Sequence, residues 1–198
     1  MKTRQDTAVR KRQIVDAARN LIIRKGSEHV TIREMAKAIG LTEGALYRHF
    51  KSKNDILSFL VNDIEETLLT DVDAARLENL PPLQTLENIL KKHLSKVEQR
   101  RGMSFQVIAE IISLGDKKLN KKVLDTIKNY TQHIEELIDE GKQRGDIRED
   151  INSASAAVLY FSAIQGLVNI WALGNYSSNL QEQFQPVWQL FHDSIVKG

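Results

Sequence analysis

Residues 31–50, TIREMAKAIGLTEGALYRHF, constrain this chain more than any other stretch. Two short helical patterns meet there at a tight turn. Ile32, Met35, Ala36 and Ile39 recur at helical spacing and make one narrow apolar face. Thr31 stands just before that face with Glu34 three residues on, the pattern of a capping box at a helix start. Gly40 ends this helix, because a residue without Cβ turns the chain left-handed at no steric cost. Leu41 then plugs the core, and Thr42 is placed to cap a second helix. Ala45, Leu46 and Phe50 continue the apolar face, while Glu43, Tyr47, Arg48 and His49 point elsewhere. A helix, a glycine-centred turn and a second helix together form a helix-turn-helix.

The side chains of this unit suit a nucleic-acid surface. Small Ala36 lets the two helices cross closely. Gly44 and Ala45 leave little bulk at the start of the second helix, which fits entry into a major groove. Tyr47 and His49 carry hydrogen-bonding tips on its sides, and Lys53 opens the next helix, where charge and free backbone N–H groups attract phosphate. Charge is distributed accordingly. Residues 1–60 hold 13 Lys/Arg against 6 Asp/Glu, a net of +7, and the remainder holds 15 against 20, a net of −5. A basic head on an acidic body fits an N-terminus that faces nucleic acid.

The run TIREMAKAIGLTEGALYRHFKSKNDIL resembles the DNA-binding signature of TetR-family transcriptional regulators, over residues 8–60. The T-I-R-E-M-A opening, the A-x-x-G-L turn, L-Y-x-H-F and the K-x-K after it occur in order; the rest resembles the family only in length and helical pattern. The resemblance implies an all-α protein. A three-helix DNA-binding head would span residues 1–51, and a six-helix body for effector binding and dimerisation would span 52–198. It also implies a homodimeric repressor on a pseudo-palindromic operator of double-stranded DNA, released when a small, largely apolar effector moves the heads apart. By position in the motif, Thr31, Thr42, Tyr47, His49 and Lys53 fall on phosphates. Arg33, Glu43, Gly44 and Ala45 fall nearest base edges, with Arg33 suited to guanine and Glu43 to cytosine.

Other chemistry finds little support. There is no H-E-x-x-H, P-loop, G-x-S-x-G or G-x-G-x-x-G run, and none of the five histidines follows a Glu by three residues. No enzyme activity, metal or cofactor is expected, and His133 with Glu136 reads as a surface hydrogen bond. Cysteine is absent, which excludes disulfides and thiolate sites and suits a reducing cytoplasm. The first residues, MKTRQDTAVRKRQ, lack the apolar core of a signal peptide. Residues 151–181 carry no charge and are long enough to span a bilayer. Ser155, Ser162, Gln165 and Asn169 are spread through them, however, and a buried subunit interface is the better reading than a membrane span. An apolar fraction of 41% is ample for a core.

Along the chain, a basic arm over residues 1–8 precedes a first helix from Thr7 to Lys25, stopped by Gly26. Its Arg10, Lys11 and Arg12 either reach phosphate or form a solvated face. Ser52 and Asp55 predict a capping box for a fourth helix through Ile56, Leu57, Leu60, Ile64 and Leu68. After Pro81-Pro82, a fifth helix covers Leu83–Gln99, and a short apolar sixth follows the break at Gly102. A seventh starts at Gly115-Asp116 and ends near Gly145, and an eighth spans Ser153–Leu173. A last helix carries Val187 to Ile195, with Pro186 either beginning or kinking it.

Tyr160, Phe161, Ile164, Val168, Trp171, Trp188, Phe191 and Ile195 on the last two helices are expected to pair with a second copy as a four-helix interface. The alternative is that they complete the monomer's own core. His93, Met103, Phe105, Ile108 and Gln165 are the candidate effector pocket, with Glu110 as a further polar group near an apolar face. Two other functions stay open. One is a DNA-binding protein that organises the chromosome without a ligand; the other is an all-helical enzyme or interaction module.

Overall fold

The computed structural model describes residues 7–26, 29 and 31–197; most of the expected basic arm, residues 1–6, lies outside them. The described residues are all-α, in nine helices: α1 (Thr7–Lys25), α2 (Ile32–Ala38), α3 (Glu43–Tyr47), α4 (Lys53–Arg76), α5 (Pro82–Gln99), α6 (Met103–Leu114), α7 (Lys117–Arg144), α8 (Ser153–Leu173) and α9 (Leu180–Ile195). Packing divides the chain into two compact units. One comprises the residues up to Ile64 with Gln106–Val123, and the other Glu65–Phe105 with the residues from Leu124 onward. α4, α6 and α7 contribute to both.

In the first unit, Ile14, Ala17, Ala18, Leu21 and Ile22 of α1 bury the face that their spacing predicts, against Met35, Ala36, Leu46 and Phe50. Ile56, Leu57 and Leu60 of α4 are fully buried, and Phe50 meets Phe59 edge to face at 5.2 Å. Arg19 ties α1 to α4 by donating to Asp63 at 2.5 Å. Caps set the helix ends. Asp55 N–H donates to Ser52 Oγ at 3.2 Å, and Asp55 Oδ2 accepts from Lys51 N–H at 2.8 Å.

In the second unit α5, α8 and α9 pack on one another. Leu86, Ile89, Leu94, Ile164, Val168, Phe184 and Trp188 are buried, and Tyr160 donates its hydroxyl to Leu86 O at 2.7 Å. α9 begins at Leu180, where the Asn179 side chain accepts from Gln181 and Glu182 N–H, so Pro186 lies inside the helix rather than at its start. Its ring faces solvent, where the carbonyl one turn back can pair with water. Asp116 caps α7 by accepting from Lys118 and Leu119 N–H, as expected of the Gly115-Asp116 start.

The aromatics expected to face a second copy are inside the monomer. Tyr160, Ile164, Val168, Trp171, Trp188, Phe191 and Ile195 are all buried, and Phe161 is half-buried. Bulk carries the largest gain on burial, and the apolar cover comes from the chain's own α5, α8 and α9 packed on one another. The opposite face of α8, with Ser155, Val158, Leu159, Ser162, Gly166, Asn169, Ile170 and Leu173, is the exposed one, and it carries no charge. By length and composition α8 is the only described helix that qualifies to cross a bilayer, but one face of it is core.

Candidate nucleic-acid interface

The interface is built from the turn outward. Thr31 Oγ1 accepts from Glu34 N–H at 3.1 Å, and Thr42 Oγ1 accepts from Ala45 N–H at 3.2 Å. Each hydroxyl accepts with a lone pair, which leaves its proton to give to a phosphate. Between the helices, Leu41 N–H donates to Ala36 O at 2.9 Å and Gly40 N–H to Lys37 O at 3.4 Å, with Gly40 at φ +64. That is a Schellman closure, and the left-handed residue it requires is the glycine. Met35, Ala36 and Leu46 are buried beneath it, so the angle between α2 and α3 is fixed by packing.

Thr31, Arg33, Thr42, Glu43, Gly44 and Tyr47 are exposed, and Ala45, His49 and Lys53 are half-buried. Tyr47 keeps 50% of its surface in solvent, a large apolar area that the interior does not use. Nothing lies within 4 Å of the Cβ that Gly44 lacks, so the fold gives no steric reason for glycine there. His49 Nδ1 is enclosed without a partner, which leaves Nε2 as the atom that can serve a ligand. Lys53 is already engaged: its Nζ donates to Glu110 Oε1 at 2.6 Å. In α1, Arg10 donates to Gln13, and the Lys11 ammonium sits 5.3 Å from the Phe59 ring centroid.

Residues 14–58 match the family described as bacterial regulatory proteins, tetR family, and residues 55–194 match the YsiA-like protein C-terminal region. The chain belongs to the TetR family. This TetR-family chain is 24% identical over 183 residues to the fatty acid metabolism regulator protein of Bacillus subtilis (strain 168), covering 92% of the chain and 94% of that protein. It is likewise 24% identical over 189 residues to the nucleoid occlusion factor SlmA of Idiomarina loihiensis, covering 96% of each. The fold is shared with the transcriptional regulator FadR from Bacillus subtilis, solved in complex with stearoyl-CoA. There the TM-score is 0.78 at 23% identity, over 91% of this chain and 96% of that one. The family is one of DNA-binding regulators, and residues 14–58, which carry the exposed helix-turn-helix, are the part that matches its regulatory-protein description.

The expected effector residues are divided. His93, Met103, Phe105 and Gln165 belong to the second compact unit and Ile108 to the first, as does Glu110. His93 and Met103 are buried, and the other three candidates are half-buried. An open cleft of about 850 Å³ does exist between α1 and α2. Asp16, Arg24, Lys25, Glu34 and Lys37 line it with charges of both signs, unlike the apolar chamber expected among α5–α8.

Around His93 the second unit holds a polar cluster. The buried Asp71 carboxylate takes the Lys96 ammonium on one oxygen, and its other oxygen is enclosed without a partner. The His93 ring lies 6.4 Å from that of Tyr130, whose hydroxyl is buried beside that of Tyr160. Burial pushes His93 down to about 4, against a smaller opposing pull from Asp71. Burial also raises the Tyr130 hydroxyl far above the usual phenol range, against a smaller opposing effect of the Tyr160 hydroxyl and with some help from Asp71. Neither Asp71 nor Tyr130 was evident from the sequence as a functional group. The available signal was an acid inside the Ile64–Leu68–Val72–Ala75 stripe, at a position where helical spacing calls for an apolar residue. Among the described residues no group of three His, Cys, Asp or Glu could hold a metal ion.

Proposed function

We propose that the protein is a homodimeric, cytoplasmic repressor that leaves a pseudo-palindromic operator when a small, largely apolar effector binds. The observation that carries this reading is the exposed, closed helix-turn-helix whose two capping threonines, Thr31 and Thr42, keep a proton for phosphate. Thr31, Thr42, Tyr47, His49 and Lys53 contact phosphates, and Arg33, Glu43, Gly44 and Ala45 lie nearest base edges in half-sites about one helical turn apart.

The uncharged face of α8, from Ser155 to Leu173, supports pairing with a second copy, and exposed Leu190 on α9 extends the apolar area. For the effector, support comes from the match to the YsiA-like C-terminal region and from the stearoyl-CoA complex of the Bacillus subtilis regulator. The buried cluster of Asp71, His93 and Tyr130 supplies polar anchors in apolar walls. Release follows if the effector binds only the form that cannot grip both half-sites, in proportion to its differential affinity.

The test is a pair of substitutions. Tyr47→Ala weakens binding to all duplexes alike, whereas Arg33→Ala flattens preference at one base position, by roughly 1–3 kcal/mol of discrimination. Uniform losses from both would rule out this division of labour. The likeness to SlmA favours a second reading, a chromosome-organising protein with dispersed sites and no effector.

A further inference from the structure

Lys53 and Asn54, the first two residues of α4, both turn their side chains onto acidic groups of residues 106–123. Lys53 Nζ donates to Glu110 Oε1 on α6 at 2.6 Å, and Asn54 Nδ2 donates to Asp116 Oδ2 at 2.9 Å. One turn further on, Lys122 Nζ donates to Ser58 Oγ at 2.7 Å. These groups lie in one compact unit, together with the helix-turn-helix.

The two acids differ in what they do for the backbone. Asp116 is committed to the fold: its carboxylate accepts Lys118 and Leu119 N–H at the start of α7 as well as Asn54. Glu110 lies eight residues into α6 and caps no helix start. Its side chain and that of Lys53 each keep about a fifth to a quarter of their surface in solvent, at 18% and 27%. The contact is therefore reachable by a polyanion.

We propose that Glu110 competes with DNA for Lys53: it holds the ammonium in the free protein, and an operator phosphate has to take that ammonium from it. The inference rests on the phosphate reading of Lys53 made above. One ammonium has three donors and can touch two anions, but a carboxylate and a phosphate on the same ammonium repel each other in a half-dry setting. Glu110 thus lowers DNA affinity without touching DNA. It sets the resting affinity from α6, a helix outside the DNA-reading motif.

Because phosphate contacts carry no sequence information, a short random-sequence duplex at low salt is a sufficient probe. Glu110→Gln should bind it roughly 2–5-fold tighter than the natural chain, with a steeper salt dependence, approaching one more phosphate contact. Lys53→Met should bind more weakly, and adding Glu110→Gln to it should restore nothing. Equal or weaker binding by Glu110→Gln overturns the inference. So does an equal gain in the Lys53→Met background, which would mean that removing any negative charge suffices. If Lys53→Met binds as tightly as the natural chain, the phosphate reading itself fails. Thermal unfolding checks each variant, and Glu110→Asp, which shortens the reach and keeps the charge, serves if Glu110→Gln does not fold.

Discussion

A buried histidine gives the most direct residue-scale prediction. His93 is held neutral by burial, with its proton affinity pushed down to about 4, while in the unfolded chain it titrates near 6.5. Between those values the unfolded state binds more protons than the folded one, so stability falls as pH drops from about 6.5 toward 4 and is fully present above that window. The loss reaches at most about 3 kcal/mol. His93→Gln should flatten the pH dependence of the unfolding midpoint across this range. An unchanged slope would mean that other groups carry it. At this scale the capping threonines were readable, because a cap depends on residues three apart in the chain. Asp71 and Tyr130 were not, because their meeting with His93 depends on how separate helices pack.

At the scale of elements, Gly44 separates folding from binding. An alanine there meets nothing within 4 Å and is the better helix former, so Gly44→Ala should leave the unfolding midpoint unchanged or raise stability by up to about 1 kcal/mol. It should still weaken operator binding under the proposed docking, in which Gly44 lies nearest the base edges. Binding as tight as that of the natural chain would remove α3 from the groove.

The helices themselves followed local signals. The bounds of α1 and α8 fell where periodicity and stops put them, and Gly40 closed α2 as a left-handed residue. Two features did not follow. Pro186 is compatible with a helix start or an exposed interior site, and only the Asn179 cap seven residues earlier decides between them. On α8 apolar residues occupy both faces, so periodicity cannot say which one is core. The large aromatics went inward, and the smaller, uncharged set was left outside.

For the whole molecule, that outside face is where a second copy is expected. Ile170 is 66% exposed on it, with Leu173 one turn on. In a two-fold interface one substitution places a charge twice, so Ile170→Arg should leave the monomer folded but shift it from dimer to monomer in sedimentation. It should also lower affinity for a two-half-site operator by the lost avidity. A dimer of unchanged strength would move the interface elsewhere.

The central claim, a sequence-specific regulator, is tested most directly by fluorescence anisotropy. The purified protein is titrated onto the intergenic DNA beside its own gene and onto a scrambled duplex, at several salt concentrations. Tight binding to the native duplex alone, falling steeply with salt, is the expected result. Equal, weak binding to both would contradict it and favour dispersed chromosomal binding.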